Sequence, residues 1–257
     1  MRNERVRAKK HLGQHFLKDK RIAAAIVDSL NADECDTVIE VGPGMGVLTQ
    51  FLVGRNLPSL KVVEIDAGLV EYLQNNIEGI GQIIRGDFLE LDLHPMGSRI
   101  AVIGNFPYNI SSQIFFKVLD NRDMVTEVTC MVQKEVAERI CSAPGSRVYG
   151  ILSVLLKAWY DIEYLFTVNE NVFSPPPKVK SAVIHLNRNA RERLDCDEKL
   201  FFSVVKRCFN QRRKMIRNPV KMMVSPDAGT MPLLSLRAEQ LSVEQFVELT
   251  NWVAGHR

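Results

Sequence analysis

The chain predicts an α/β fold, a doubly wound, mostly parallel sheet followed by a small helical domain. Three observations carry this. Short apolar runs alternate with segments of helical spacing from Thr37 onward, the pattern of strand-helix-strand units. A glycine-rich turn, Gly42-Pro43-Gly44-Met45-Gly46, joins the first of these runs to a helix. Residues 187–198 turn polar and charged, and the chain beyond them is helical in pattern. That sets domains of 1–187 and 188–257.

Taken in order, Asp19 is placed to cap a helix over residues 20–30, where Ile22, Ile26 and Leu30 make an apolar stripe. Thr37 to Val41 is a strand, and the glycine turn leads from it into a helix ending near Gly54. Leu60 to Ile65 is the next strand, with a helix over 67–76. Ile80 to Arg85 is a third strand, closed by Gly86-Asp87. Ile100 to Ile103 is a fourth, stopped at once by Gly104, Asn105 and Pro107 before a helix at 111–119. Val125 to Val132 is another apolar run. Residues 134–141 form a short helix broken by Pro144-Gly145, and 147–158 have helical spacing. Strands near 159–168 and 179–187 flank Ser174-Pro175-Pro176-Pro177. Beyond the boundary, Leu200, Phe201, Val204, Val205, Cys208 and Phe209 form one helical stripe. Ser242 and Gln245 make a capping box for a last helix ending near Trp252.

With 257 residues, 46% of them hydrophobic, the chain can bury a substantial core. Its net charge of +3 hides a strong polarisation. Residues 1–21 hold eight Lys/Arg against Glu4 and Asp19, and residues 206–221 hold seven against no acid. These two segments carry +13 and the remainder −10. Such clustering points to a polyanionic partner. Five cysteines without a CxxC pair fit reduced thiols rather than a disulfide frame, and the histidines lack metal-ligand spacing, so no metal is expected. No apolar run approaches the ~20 residues that span a bilayer. The basic N-terminus has no apolar core of a secretory signal.

The chemistry gathers at four successive strand ends. The three glycines let backbone approach a ligand at a helix N-terminus. Their spacing is GxGxG, preceded by Glu40, with Val47 where a dinucleotide fingerprint needs glycine. That suits a nucleoside with a zwitterionic tail better than a pyrophosphate, and disfavours a NAD-linked oxidoreductase. Glu64 lies 18 positions beyond Gly46, where doubly wound folds place an acid on ribose hydroxyls. Asp87 comes next as an acceptor for an adenine amine. The loop Gly104-Asn105-Phe106-Pro107-Tyr108-Asn109 supplies an asparagine amide and the carbonyl before a rigid proline, both able to accept from one planar NH2 group. Tyr108 adds a face for stacking a flat ring.

These residues resemble the S-adenosylmethionine-dependent methyltransferases, and more narrowly the ribosomal RNA small-subunit adenine dimethyltransferase family. The matching stretches are GQHFLKD (13–19), EVGPGMGVLT (40–49), VEID (63–66), GDFL (86–89), GNFPYNIS (104–111), QKEVAERI (133–140), FSPPPKVKSAVI (173–184) and FNQRRKMIRN (209–218), in family order across nearly the whole chain. The resemblance implies a seven-stranded Rossmann-like methyltransferase sheet and a small C-terminal helical domain. It implies S-adenosylmethionine as cofactor, contacted by His15, Leu17, Gly42, Gly44, Glu64, Asp87 and Asn105. His15 stands where the family usually has Asn, and Phe106 where Leu is usual.

By the same resemblance the substrate is a pair of adjacent adenosines near the 3′ end of small-subunit ribosomal RNA, in immature subunits, each methylated twice. Asn105 and the Pro107 carbonyl would hold the adenine amine. Tyr108 would stack on the extruded base and Phe173 close its other face. Lys206, Arg207, Arg212, Arg213, Lys214, Arg217 and Lys221 would grip phosphates, with Lys9 and Lys10 assisting. Arg212, Arg213 and Lys214 would fan over a broad helical arc. A cytoplasmic monomer is expected. Two other readings share the scaffold: a resistance-type methyltransferase of large-subunit RNA, and a non-catalytic RNA-binding assembly or transcription factor. FNQRRKMIRN and FSPPPKV favour the small-subunit branch, and the intact Asn105, Pro107, Tyr108, Glu64 and Asp87 favour catalysis.

Overall fold

The computed structural model describes Lys9 and residues 12–257. Lys10 and the basic residues before Lys9 lie outside the described residues. Two compact units make up the chain. The first runs to Ala137 and resumes over Glu163–Arg188; the second takes in Glu138–Ile162 and Asn189–Arg257.

The first unit is built on a seven-stranded sheet. In chain order its strands are β2 (Thr37–Val41), β3 (Leu60–Glu64), β4 (Gln82–Arg85), β5 (Ile100–Asn105), β6 (Val125–Gln133), β7 (Tyr160–Val168) and β9 (Ser181–Arg188). They lie in the order β4-β3-β2-β5-β6-β9-β7. The run from β4 to β6 is parallel, and β9 is antiparallel to β6. Every residue of β2 is buried, as an apolar run in the middle of a covered parallel sheet should be. Helices α1 (Lys20–Asp28), α2 (Thr49–Val53), α3 (Ala67–Asn76) and α4 (Ser111–Asp120) alternate with the strands, and α5 (Lys134–Cys141) leaves the end of β6 directly. Asp19 caps α1 by accepting the Arg21 N–H at 2.9 Å. A two-residue strand β1 (Phe16–Leu17) pairs antiparallel with β8 (Phe173–Ser174), Leu17 opposite Phe173. Strand order reverses between β2 and β5, the position at which doubly wound sheets open a ligand crevice.

A buried polar knot ties the middle of this unit. Glu127 on β6 accepts the Asn31 and Ala32 N–H groups at 2.8 and 2.9 Å, just beyond α1. It also takes the His185 Nε2–H from β9 at 2.8 Å. Burial opposes the charge on Glu127, but these bonds win and hold its carboxyl below the usual range.

The second unit is helical, built from α6 (Ile151–Lys157), α7 (Glu198–Asn210), α8 (Arg217–Val220) and α9 (Val243–Gly255). Sequence pattern puts residues 138–162 in the first domain, whereas they group here. The reason is aromatic packing. Trp159 stacks on Phe202 with centroids 5.6 Å apart and meets Phe201 edge-on, while Tyr149 reaches Phe209 at 6.1 Å. The Ser242–Gln245 capping box forms, and α9 runs past Trp252 to Gly255.

Candidate active site

A cleft of about 400 Å³ opens at the carboxyl ends of β2, β3, β4 and β5. It is lined by the glycine turn, Glu64, Asp87 and the Asn105–Ile110 loop, with residues 12–18 along one side. Four strand ends singled out by sequence therefore meet in one place. His15 and Leu17 line the cleft as well.

The glycines are required by the turn. Gly42, Gly44 and Gly46 all have positive φ, at 65, 58 and 76°, a region costly for other residues. At Gly46 a Cβ would also stand 2.1 Å from Ile77 Cδ1. At Gly44 it would meet the Phe16 ring at 3.0 Å, so the strap that carries β1 lies close against this turn.

Glu64 ends β3 almost wholly buried. Its Oε1 accepts the Asp66 N–H at 2.9 Å and its Oε2 faces the Gly44 N–H at 3.4 Å. Burial pushes its carboxyl up, and the backbone donors oppose that. Asp87 Oδ1 accepts the Leu89 N–H at 2.9 Å, which fixes the carboxylate in the turn after β4. Beside them, Asp66 caps α3 through the Gly68 N–H and pairs with Lys9 Nζ at 2.8 Å. Lys9, expected to help hold RNA, is thus committed to an ion pair near the cleft.

Asn105, the last residue of β5, is oriented by one bond. Its Nδ2–H donates to the His15 carbonyl at 3.0 Å, and its Oδ1 is buried without a partner. Glu40, inside the cleft on β2, also has an orphaned oxygen: Oε2 accepts the Thr49 hydroxyl at 2.7 Å, and Oε1 has no partner. In the sequence Glu40 stands two positions before Gly42 and opens the matched stretch 40–49. Its only signal there is an acid in an otherwise apolar buried strand. Two buried side-chain oxygens without partners in one cleft leave room for hydrogen-bond donors from a ligand. A nucleoside bearing hydroxyls, an amine and an ammonium group has them, so the residues present fit the expected cofactor and an amine substrate.

Tyr108 is held at both ends. Its hydroxyl bonds to Ser181 Oγ at 2.5 Å, and burial raises the phenol's pKa. Its ring lies against the His15 imidazole, with centroids 5.4 Å apart and planes at 27°. His15 Nδ1 is 2.8 Å from the Pro175 carbonyl oxygen. Two expectations change. Phe173 is 1% exposed and packs in the core with Leu17, Ile26 and Val183; it does not line the cleft, so it closes no face of a base there. Pairing of β8 with β1 turns it inward. The Pro107 carbonyl accepts the Ile110 N–H at 3.1 Å, which closes the turn into α4 and uses one of its lone pairs. The carbonyl that precedes the proline belongs to Phe106.

In the helical unit the basic segment divides. α7 ends at Asn210, so Arg212, Arg213 and Lys214 lie in the turn beyond it and not on a helical arc. Arg207 Nε donates to the Pro219 carbonyl at 2.7 Å, and the Arg212 guanidinium donates to the Arg147 carbonyl and faces Glu239 at 3.7 Å. These bonds tie Arg207 to the Pro219 backbone and Arg212 to the Arg147 backbone, within the same unit. Lys206, Arg213, Lys214, Arg217 and Lys221 are exposed. Arg147, joined to Arg212 through its carbonyl, belongs to this surface although it lies far away in sequence.

Among the described residues, no group of His, Cys, Asp and Glu is arranged to hold a metal, and no helix is long and apolar enough to cross a membrane. The family described as ribosomal RNA adenine dimethylase matches residues 5–255. A relative from Parabacteroides distasonis, named ribosomal RNA small subunit methyltransferase A, is 57% identical over 249 residues, covering 95% of this chain and 93% of its own. Among solved structures, a dimethyladenosine transferase from Plasmodium falciparum superposes with a TM-score of 0.75 at 22% identity. It covers 91% of this chain and 96% of the other. The 23S rRNA methyltransferase ErmE gives 0.66 at 25% identity, with 92% and 99% covered.

Proposed function

The chain belongs to the ribosomal RNA adenine dimethylase family, and from that premise we propose that it methylates the exocyclic amines of two adjacent adenosines near the 3′ end of small-subunit (16S) ribosomal RNA, giving dimethyladenosines. The chain is a methyltransferase of ribosomal RNA. The 57% identity to a small-subunit enzyme, against 25% to the large-subunit enzyme ErmE, favours the small-subunit substrate over the resistance-type alternative. An intact set of cleft residues favours catalysis over a purely RNA-binding role.

The observation that carries the chemistry is the orphaned Asn105 Oδ1. An adenine amine is a weak nucleophile because its lone pair is delocalised into the ring. Asn105 Oδ1 and a backbone carbonyl of the Phe106–Pro107 step accept its N–H groups and favour a pyramidal nitrogen. That is positioning plus stabilisation of developing positive charge. A neutral amide also serves a second round, when one N–H has become N–CH3. Tyr108, anchored on Ser181, supplies a stacking face for the unstacked base. The transferred methyl comes from S-adenosylmethionine, whose sulfonium already activates it. Glu64 is assigned to the cofactor's ribose hydroxyls and Asp87 to its adenine, with His15, Leu17, Gly42 and Gly44 bordering it. Phosphate contacts are assigned to Lys206, Arg213, Lys214, Arg217 and Lys221. Immature small subunits are the expected form of the substrate, met by a monomer in the cytoplasm.

Transfer of labelled methyl groups is the test. Immature small subunits should accept label at an adjacent adenosine pair, and large subunits should not. Label in large subunits, or in neither, would reject the reading.

A further inference from the structure

We propose that the His15 imidazole holds the place of the target base on Tyr108, and that the adenine enters by exchanging its ring for that one. The inference rests on the reading above, in which Tyr108 stacks the unstacked base.

Both rings line the cleft, and the His15 ring covers Tyr108 with centroids 5.4 Å apart and planes at 27°. The tyrosine is not free to turn away. Its hydroxyl is bonded at 2.5 Å to Ser181 Oγ, and Ser181 is wholly buried at the start of β9. Rings in contact lie about 3.5 Å apart, so a base inserted between these two would need about 7 Å. The observed spacing is too short for that.

The backbone at position 15 cannot withdraw to make the room. The His15 carbonyl accepts the Asn105 Nδ2–H at 3.0 Å, and Phe16 and Leu17 pair with Ser174 and Phe173. Gly13 packs so close to Asn109 that a Cβ would stand 2.5 Å from its Oδ1. The side chain is held more lightly. It is partly exposed, and among the described residues its one hydrogen bond joins Nδ1 to the Pro175 carbonyl at 2.8 Å. A carbonyl oxygen only accepts, so Nδ1 carries the proton. A rotamer change in a half-exposed ring is fast, and one such bond costs little to break. The strap therefore stays and the imidazole leaves.

This exchange sets the energetics of base capture. One stacked ring replaces another, so stacking alone gains little. The surplus comes from the adenine amine on Asn105 Oδ1, which has no partner in the protein. A doubly methylated amine has no N–H left for that oxygen. The imidazole then competes on better terms, and the same exchange run backwards releases the product.

The test titrates adenosine 5′-monophosphate into the full chain saturated with S-adenosylhomocysteine, which fills the cofactor's own adenine site, and follows the histidine ring protons by NMR. The His15 resonances are assigned by their absence from His15→Ala. In the wild type they should start shifted by the Tyr108 ring and lose that shift as nucleotide binds. Contacts from adenine protons to Tyr108 should replace those from His15. His15→Ala, with the tyrosine face bare, should bind the nucleotide about five- to twentyfold more tightly, the size of one aromatic contact plus one exposed hydrogen bond. His15→Phe keeps a ring there and should stay within about threefold of the wild type. An equal gain in both variants, or a gain in neither, overturns the inference. So does nucleotide bound with the His15–Tyr108 contact unbroken, or with adenine touching both rings. Nucleotide that exchanges with His15 while neither ribosomal subunit accepts methyl label would reject the proposed function and leave the exchange standing.

Discussion

One Asn105 Nδ2–H is bound to the His15 carbonyl at 3.0 Å, which fixes the amide's orientation and leaves its Oδ1 without a partner. That contact runs through the backbone of position 15. It does not depend on the side chain at that position. The imidazole meanwhile lies on Tyr108.

Asn105→Ala should therefore keep the fold and lose methyl transfer by about a hundredfold or more, the scale seen when one positioned hydrogen-bonding group is deleted from an active site. Single-turnover rates check it. A rate within a few times that of the parent would remove Asn105 from the chemistry. A product stalled at monomethyladenosine would assign it to the second transfer.

Much of this site was legible in the sequence, because each strand end carried residues with little structural reason to be there. Three glycines at positive φ, an acid after each of β3 and β4, and Asn105-Phe106-Pro107-Tyr108 after β5 all converge. What stayed hidden depended on side-chain direction. Phe173 reads as a ring beside prolines, and only its pairing opposite Leu17 shows that it faces the core. Glu40 reads as part of a motif, and only the structure shows that one of its buried oxygens has no partner. Arg207 and Arg212 read as phosphate contacts, but carbonyl acceptors hold them. The grouping of residues 138–162 with the C-terminal helices rests on Tyr149 and Trp159 meeting aromatic residues of α7, a long-range match that local pattern does not carry.

Glu64→Ala should weaken S-adenosylmethionine binding by about 1.5–3 kcal/mol, the value of a hydrogen bond to a charged group. That is roughly ten- to a hundredfold in affinity. Methyl transfer at saturating cofactor should recover in part. Calorimetry showing undiminished affinity would assign Glu64 to supporting the Gly44 and Asp66 backbone alone.

Glu127 sets a pH dependence of stability. Its carboxyl is held below the unfolded value by His185 and by the Asn31 and Ala32 N–H groups, against the effect of burial. A lowered carboxyl stabilises the fold above the unfolded value, near 4.5, and that contribution disappears as pH falls through the folded one. Glu127→Gln should cost about 1–3 kcal/mol at pH 7. The gap from the parent should close in denaturant titrations carried below pH 4.5. A gap that stays constant into acid would mean that shape and not charge holds this knot.

The basic surface of the helical unit should separate into grip and scaffold. Arg213 and Lys214 are exposed in the turn after α7, whereas Arg212 is bound to the Arg147 carbonyl and faces Glu239. If Arg213 and Lys214 hold phosphates, removing each should lower the slope of log affinity against log salt by about 0.7 to 0.9. Arg213→Ala with Lys214→Ala should then bind immature small subunits more weakly, with a flatter salt dependence, unchanged cofactor affinity and an unchanged melting temperature. Arg212→Ala should do the reverse: a lower melting temperature, since Glu239 and a carbonyl lose their cationic partner, and a smaller change in salt slope. Binding curves at several salt concentrations, read beside thermal melts, distinguish the two. An unchanged slope in the double variant would show that these charges only solvate the turn, and the RNA contacts would then belong to Arg147, Lys206, Arg217 and Lys221.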